Sequence, residues 1–406
     1  MKKIFTLVLF GLAMFSNAQI VQAYADRANV VNQNNLQTYN SDLVAFGIRK
    51  TGTTQTANAL AYLKSKYSSF GYTNISEQTF TLSGYTDKNL IVTKTGTTYP
   101  DEYIIICGHY DSYSNSTTGK HSVGANDNAS GVAVILEAAR ILQSVPTEYS
   151  IKFINFSGEE QGLLGSKEYV SKVVNSTTPK MKIKLVLNLD QVGGMVNSDN
   201  NTIFCERDED TARNNGNAID NNNTASNTAT QALKNYVGYY TDSKLSGVIS
   251  NAYGSDYMPF ENNSEIITGL YERTTINGSP VTNTYYHNNT DVINNLSYPY
   301  IYEVARIAVG ALQHFAVADL TTVVLPTIEV NKFSDIKIYP NPAKDFVNID
   351  VPNTDNYHVE IYDMSGRTVY KNKNQKQINT SKFKSGVYNL VLRTDTQSIV
   401  NKLIVK

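Results

Sequence analysis

Apolar runs of the β-strand type alternate with helical segments through the first three quarters of the chain, and this alternation constrains the fold most strongly. The strand-like runs are residues 103–107, 150–156 and 182–189, and apolar helical patterns at 132–142 and 163–174 separate them. Consecutive strands joined through helices lie parallel in one sheet and need helices to cover its faces. The pattern therefore predicts an α/β domain with a mixed, mostly parallel central sheet and helices on both faces.

A group that can bind a metal stands near the end of each predicted strand. His109 follows the first strand, Glu159 and Glu160 follow the second, Asp190 follows the third, and Asp127 precedes the first of the two helices. The carboxyl ends of parallel strands share one edge of a sheet, where α/β proteins bind their ligands. The adjacent carboxylates of Glu159 and Glu160 repel each other unless a cation holds one of them, and a metal ion is the usual cation.

A later polar loop adds His287 to this set. Two imidazoles and three carboxylates are ligands that zinc accepts, and they suffice for two ions that share one carboxylate. Each residue alone has an ordinary explanation: Asp127 would be a helix N-cap, Asp190 a turn residue, and a loop histidine a solvated side chain. Their joint placement on successive elements favours a metal site.

Five motifs around these residues resemble those of the secreted dizinc aminopeptidases, a family that includes bacterial leucyl aminopeptidases and relatives of glutamate carboxypeptidase and glutaminyl cyclase. The resemblance covers about residues 34–316, with the motifs in the family's order. The motifs are GHYDS at 108–112, GANDNASG at 124–131, GEEQGLLGS at 158–166, NLD at 188–190 and YHNNTD at 286–291.

The resemblance implies two Zn²⁺ ions per chain, bridged by Asp127. The peptide bond between Asp127 and Asn128 would be cis, as in the family. One ion would take Glu160 and His287 as its further ligands, and the other would take His109 and Asp190.

The same family implies roles for two more carboxylates. Glu159 would act as general base and then general acid, and Asp111, two residues after His109, would orient its imidazole. Adjacent residues at the end of an extended strand point in opposite directions, so Glu160 can bind metal while Glu159 faces the water.

The activity that the resemblance implies is removal of N-terminal residues from peptides by a water activated between two zinc ions. Tyr253 would contact the substrate or the oxyanion, and this chain has Tyr257 where the family commonly has histidine. A carboxypeptidase or dipeptidase of the same fold would need a cation for the substrate carboxylate, for which Arg207 and Arg273 are candidates. A non-catalytic surface binding protein is a further alternative, and the retention of Glu159 beside a complete ligand set argues against it.

The N-terminus predicts export. Residues 1–3 are a basic start, residues 4–15 a short apolar core and residues 16–18 a small-residue cleavage site, which together indicate a signal peptide at 1–18. Later apolar runs fall short of the ~20 residues that span a bilayer, so no membrane span is expected in the mature chain. A net charge of −1 gives no sign of a nucleic-acid-binding surface.

The C-terminal quarter has a different character. After the peptidase domain at 19–317, residues 318–332 look like a linker, and residues 333–406 alternate short strands with turns, which predicts a small antiparallel β-sandwich. This region resembles the sorting domains that direct proteins through the type IX secretion machinery of Bacteroidetes-like bacteria, which implies passage through the periplasm to the cell surface or medium. The motifs that carry the likeness lie at 338–342, 361–366, 386–388 and 402–406.

The two cysteines, Cys107 and Cys205, leave two alternatives open. An exported protein permits a disulfide, but two buried unpaired thiols are equally compatible with the sequence. Neither cysteine has the close partner typical of a zinc-binding cysteine pair, so neither is expected to bind the metal.

Overall fold

The computed structural model describes residues 20–115, 117–208, 222–242, 245–281, 283–324, 337–351, 357–363, 367–393 and 398–406. The predicted signal peptide, residues 325–332 of the predicted linker and residues 364–366 of one sorting motif lie outside these ranges. The chain divides into two compact units, Met1–Leu325 and Pro326–Lys406, and each has its own hydrophobic core.

The first unit is built on an eight-stranded mixed sheet with the strand order β1-β2-β6-β3-β7-β10-β8-β9. The pairs β6–β3, β3–β7, β7–β10 and β8–β9 are parallel, and β1–β2, β2–β6 and β10–β8 are antiparallel. The predicted mixed, mostly parallel sheet is confirmed. Two short pairs, β4–β5 and β11–β12, form separate two-stranded sheets. The strands of this unit are β1 (Ile75–Leu82), β2 (Tyr85–Lys94), β3 (Tyr99–His109), β4 (Ser114–Asn115), β5 (Lys120–His121), β6 (Tyr149–Phe156), β7 (Lys182–Asp190), β8 (Thr202–Arg207), β9 (Ser246–Asn251), β10 (Ile267–Glu272), β11 (Thr275–Ile276) and β12 (Ser279–Pro280).

Helices cover both faces of this sheet. A π-helical turn at Val170–Val174 continues α5, and a 3₁₀ turn at Ile293–Asn295 precedes α8. The α-helices are α1 (Gln22–Ala28), α2 (Gln33–Ala45), α3 (Thr54–Ser69), α4 (Ala129–Leu142), α5 (Leu164–Tyr169), α6 (Asn223–Tyr240), α7 (Met258–Glu261) and α8 (Tyr298–Phe315).

The central strand β3 shows how the two layers are divided. Ile104 and Ile106 belong to the larger core, which also contains side chains of α1–α4, α6 and α8. Ile105 and Cys107 belong to the smaller core, together with side chains of α5 and α7. Successive residues of a strand point to opposite faces, so the continuous apolar run of β3 follows from burial on both sides.

The break between α2 and α3 has a local cause. Gly47 and Gly52 adopt positive φ angles of +79° and +78°, a conformation that favours glycine. Thr53 then starts α3 through a capping box with Thr56, in which each side chain bonds the backbone of the other residue.

The second unit consists of two antiparallel sheets around a shared core, as the sequence predicts. One sheet has the order β13-β14-β17 and the other β16-β15-β18-β19. Side chains of both sheets, such as Val347, Ile361 and Leu390, form the core. The strands are β13 (Lys337–Tyr339), β14 (Phe346–Asp350), β15 (His358–Asp363), β16 (Thr368–Lys373), β17 (Gln377–Asn379), β18 (Gly386–Arg393) and β19 (Ser398–Val405).

Both cysteines are buried free thiols, so the second of the two alternatives holds. Cys107 lies on β3 and Cys205 on β8, with β7 and β10 between these strands in the sheet. Across the part of the chain that the structure describes, no helix combines the length and hydropathy that crossing a bilayer requires.

Candidate active site

The predicted ligands converge at the carboxyl edge of the main sheet. His109 and Asp190 are the last residues of the neighbouring strands β3 and β7. Gly108 permits this arrangement, because a Cβ there would lie only 2.6 Å from the carbonyl oxygen of Leu189. Sequence reasoning thus placed these groups on the correct edge.

The five proposed ligands form two groups that share Asp127. Nε2 of His109 lies 3.2 Å from Oδ1 of Asp127 and 3.3 Å from Oδ1 of Asp190. Nε2 of His287 lies 3.3 Å from Oδ2 of Asp127 and 3.0 Å from Oε2 of Glu160. Each carboxylate oxygen of Asp127 therefore faces one imidazole, and each imidazole also contacts one further carboxylate.

This arrangement fits two zinc ions. Within each group the potential ligand atoms all lie within 4.8 Å of one another. Oε1 of Glu160 is buried without a hydrogen-bond partner, and a buried carboxylate oxygen of that kind needs a proton or a cation. Imidazole nitrogen and carboxylate oxygen are the donors that zinc takes in catalytic sites.

The electrostatics of the site show how strongly the carboxylates interact. Burial raises the pKa of Glu160 well above its usual range, and the negative charge of Asp127 adds to the effect. Burial also raises the pKa of Glu159, with His109 opposing and Glu160 adding. Hydrogen bonds with His109 and His287 overcome the effect of burial on Asp127 and lower its pKa to about 2. Strongly perturbed carboxyl groups in one cluster are typical of functional sites.

The two glutamates lie in a turn rather than on an extended strand, which corrects one part of the sequence argument. Strand β6 ends at Phe156, and Gly158 adopts a φ of +80°. The amides of Gly162 and Leu163 then donate to the carbonyl of Glu159, at 2.8 Å and 2.9 Å. The turn, and not the alternation of a strand, therefore separates the two side chains.

The carboxylate of Asp111 holds this turn in place through hydrogen bonds with its backbone. Its Oδ1 accepts a hydrogen bond of 3.3 Å from the amide of Glu159, and its Oδ2 accepts one of 3.3 Å from the amide of Glu160. Thr51 Oγ1 donates to Oδ2 as well, at 3.2 Å. The carboxylate expected to orient an imidazole thus also orients the glutamate pair.

The backbone carbonyl of Asp111 is the closer partner of His109. Nδ1 of His109 lies 3.2 Å from this carbonyl oxygen and 3.6 Å from the carboxylate of Asp111. A carbonyl oxygen only accepts, so Nδ1 carries a proton and Nε2 is the nitrogen that can bind a metal after it loses its own proton.

Asn128, and not Asp127, caps the helix that follows. The Oδ1 of Asn128 accepts from the amide of Gly131 at 3.1 Å, and its Nδ2 donates to the carbonyl of Leu189 at 2.8 Å. The peptide bond between Asp127 and Asn128 is cis, as the resemblance implies. The carboxylate of Asp127 faces the two histidines instead of the first turn of α4.

Sequence reasoning missed the residue that holds Asp127 in place. Asp291 accepts hydrogen bonds from the amides of Asn126 (2.7 Å) and Asp127 (3.2 Å), and from the hydroxyl of Ser122 (3.1 Å). The available signal was its position, four residues after His287 in the same motif.

Ser255 was also missed as a contact of a proposed ligand. Its hydroxyl donates to Oδ2 of Asp190 at 2.7 Å and accepts from Nδ2 of Asn188 at 2.9 Å. Asp190 therefore has one oxygen directed by Ser255 and the other facing His109.

Tyr253, the predicted substrate contact, is 66% exposed. Its backbone amide donates to the hydroxyl of Tyr257 at 3.0 Å, and that hydroxyl donates to Oε2 of Glu206 at 2.6 Å. Tyr257 is buried, so the residue that replaces the family's histidine anchors the chain beside Tyr253.

The fold and the site together define a class: an α/β metallopeptidase whose ligands converge at the carboxyl edge of a mixed sheet. More specifically, the chain belongs to peptidase family M28, whose model matches residues 89–312, more than half of the sequence. Residues 337–406 match the model of the secretion system C-terminal sorting domain.

Individual proteins show the same relationship. Aminopeptidase YwaD of Bacillus subtilis is 43% identical over 95 residues, which cover 23% of this chain and 19% of that protein. The fold is similar to that of the LapA aminopeptidase of Legionella pneumophila (TM-score 0.59, 19% identity, 78% and 80% coverage of the two chains). It is also similar to BSAP, a zinc aminopeptidase from Bacillus subtilis (TM-score 0.56, 17% identity, 72% and 97% coverage). The chain spans about a fifth of the length of the curated relative, and the structural likeness at these identities concerns the fold.

Proposed function

We propose that this chain is an exported two-zinc aminopeptidase that removes N-terminal residues from peptides. The observation that carries the proposal is the position of Asp127, whose two oxygens face His109 with Asp190 on one side and His287 with Glu160 on the other. Membership in peptidase family M28 and similarity to proteins described as aminopeptidases support the same activity.

Proton transfer in this mechanism depends on Glu159. Bound zinc ions supply Lewis-acid polarisation of the peptide carbonyl and lower the pKa of water. Glu159, whose Oε2 lies 4.0 Å from Nε2 of His109, takes a proton from the attacking water and passes it to the leaving amine. The same carboxyl group holds the proton between the two steps, so one residue serves as general base and then as general acid.

The chain's other residues position these groups. Asp111 fixes the backbone of the glutamate turn, so Glu159 keeps its place while Glu160 faces His287. Ser255 directs the carboxylate of Asp190 in the same way. Positioning of this kind supplies a large part of the rate enhancement that enzymes achieve.

A carboxypeptidase of the same fold is the second candidate, and the two arginines it would use have other partners. Arg207 donates to the side chains of Asn251 and Asn227, and Arg273 donates to Thr202 and lies over the ring of Phe204. Neither contact set presents a free guanidinium to a substrate carboxylate, which favours the aminopeptidase.

The test compares aminoacyl reporter substrates with N-blocked and C-terminal reporters, with and without a chelator. We expect cleavage of the aminoacyl substrates alone, loss of activity on chelation and recovery with Zn²⁺. Glu159→Gln should lower kcat by about 10²- to 10⁴-fold and leave zinc binding intact. Glu102→Gln, a change of the same type near the start of β3, is the control. Full activity of the Glu159 variant, or a mature protein that binds no zinc, would overturn the proposal.

We also propose the predicted domain boundaries: a signal peptide at 1–18, the peptidase at 19–317, a linker at 318–332 and the sorting sandwich at 333–406. The match of the sorting-domain model to residues 337–406 supports delivery through secretion machinery to the cell surface or medium, with passage through the periplasm. Deletion of residues 333–406 in an organism with that machinery should leave active peptidase in the periplasm. Unchanged export of the truncated chain would contradict this assignment.

A further inference from the structure

The imidazole of His287 is enclosed between two tyrosine rings. The ring of Tyr113 stacks on one face at a centroid distance of 3.8 Å and an interplanar angle of 9°. The ring of Tyr286 stacks on the other face at 3.7 Å and 23°. Nε2 of the enclosed ring points to Asp127 and Glu160.

His287 lacks the support that His109 has. Histidines that bind metals are usually oriented by a hydrogen bond from their second ring nitrogen, and Nδ1 of His109 has one with the carbonyl of Asp111. Within the described ranges, the polar contacts of His287 are those of Nε2 with Asp127 and Glu160. The side chain is also 26% exposed, and its backbone has a φ of +53° in a loop, so burial alone does not fix the ring plane.

The backbone of Tyr113 is well anchored. Its carbonyl accepts a hydrogen bond of 2.9 Å from the amide of Ser122. The preceding residue, Ser112, donates to the carbonyl of Ser122 and exchanges hydrogen bonds with the backbone of Arg49. The Tyr113 ring can therefore restrain the imidazole of His287, which belongs to a loop that is distant in the sequence.

We infer that Tyr113 is a positioning residue for the metal-binding imidazole of His287, with Tyr286 closing the other face. The two rings confine the imidazole plane, so that Nε2 faces Oδ2 of Asp127 and Oε2 of Glu160 without a hydrogen bond at Nδ1. A single loop after β3 thus orients both histidines, His109 through the carbonyl of Asp111 and His287 through the ring of Tyr113. The inference rests on the proposed function, because it assigns His287 to one of two metal ions.

The test is a stepwise titration of the metal-free full-length mature protein with Zn²⁺ by calorimetry. Tyr113→Leu keeps an apolar side chain but removes the flat face, and Tyr113→Phe keeps the face. We expect Tyr113→Leu to bind one of the two Zn²⁺ equivalents about 10-fold or more weakly than the unaltered protein does. Its affinity for the other equivalent should stay within about twofold. The phenylalanine variant should bind both equivalents like the unaltered protein. His287→Ala and His109→Ala identify which equivalent belongs to which group.

A purely structural role would give a different result. Equal weakening of both equivalents, unchanged binding in Tyr113→Leu, or an equal loss in Tyr113→Phe would overturn the inference. Thermal unfolding of the metal-free variants reports any general loss of stability, and Tyr286→Leu, on the more exposed face, provides a second variant with the same expectation. If the unaltered protein binds fewer than two zinc ions, the proposed function fails first. If it binds two and the leucine variant is unaffected, the role of Tyr113 alone fails.

Discussion

The backbone amide of Asp127 donates a hydrogen bond of 3.2 Å to Oδ2 of Asp291. Oδ1 of the same carboxylate accepts from the amide of Asn126, and Ser122 donates to Oδ2. Asp291 belongs to the loop that carries His287, so one carboxylate connects the two loops that carry Asp127 and His287. The relative position of Asp127 and His287 therefore depends on Asp291.

Replacement of Asp291 should weaken zinc binding without removing a ligand. Asp291→Asn keeps the size of the side chain but replaces one of its two acceptor oxygens by an NH2 donor, so either the amide of Asn126 or that of Asp127 loses its acceptor and faces another donor. Loss of such supporting contacts typically lowers metal affinity about 10- to 100-fold. Competition with a chromogenic chelator measures the effect.

Asp199→Asn is the matched control for that change. Asp199 accepts two backbone amides, those of Asn277 and Gly278, in the hairpin between β11 and β12. Its replacement should leave zinc affinity unaltered. Equal losses in both variants would show that the effect of Asp291 is general and not specific to the metal site.

Zinc affinity should rise with pH, with release of protons on binding. Burial would lower the pKa of His109, but Glu159 and the carboxylates of Asp190, Asp111 and Asp127 outweigh it and raise the pKa well above its usual range. Burial and the charge of Asp127 raise the pKa of Glu160. Both groups hold protons in the metal-free protein at pH values where free side chains have begun to lose them, and both must lose them to bind metal. Calorimetry in two buffers of different ionisation enthalpy measures the protons released, and an affinity that does not change between pH 6 and 8 would contradict the prediction.

Ser255→Ala should weaken one of the two zinc equivalents more than the other. The hydroxyl of Ser255 donates to Oδ2 of Asp190, which we propose as a ligand of the same ion as His109. The ion that we propose at His287 and Glu160 would have no such contact with Ser255, so its affinity should change little. Stepwise titration with Zn²⁺ separates the two equivalents. The control is Ser150→Ala, because Ser150, near the start of β6, also has a buried hydroxyl that donates a hydrogen bond, in its case to the carbonyl of Pro100. Equal weakening of both equivalents would refute the assignment of Asp190 to the His109 side.

Local patterns in the sequence predict the central strands and the residues that we propose as metal ligands. Apolar periodicity marks β3, β6 and β7, and the polar residues that follow them meet wherever parallel strands end. The supporting contacts do not follow such a pattern. Asp291 and Asp127 are 164 residues apart in the sequence, and Ser255 and Asp190 are 65 residues apart, so only the folded chain brings each pair together.

The turn that holds the two glutamates and the residue that caps α4 were not predicted from the sequence, for a different reason. Asp127 and Asn128 both have side chains suited to an N-cap, and only the backbone geometry decides that Asn128 takes that position. Gly158 signals a turn, but the direction of the side chains of Glu159 and Glu160 depends on the carboxylate of Asp111, 48 residues away from Glu159. Stacking of Tyr113 on His287 likewise leaves no trace in sequence spacing.

The stability of the folded protein should fall between about pH 4.5 and pH 8 because of Glu206. Burial raises the pKa of this carboxyl group from 4.5 to about 8, while the hydrogen bond from Tyr257 opposes the shift. In that pH range the folded state keeps a proton that the unfolded state releases, so rising pH favours unfolding, and the effect levels off above the folded-state pKa. At roughly 1.4 kcal/mol per pKa unit, the upper limit of the change is about 5 kcal/mol.

Glu206→Gln should remove this dependence, because the amide is neutral at every pH and its oxygen still accepts the hydroxyl of Tyr257. The variant should therefore gain unfolding temperature relative to the unaltered protein at pH 8 and show little gain at pH 5. Thermal unfolding of the metal-free protein at both values measures the difference without a contribution from metal binding, and Glu102→Gln controls for the loss of one charge. A variant with the same pH slope as the unaltered protein would mean that Glu206 is ionised in the folded state at neutral pH, and that Tyr257 with its neighbours stabilises the charge.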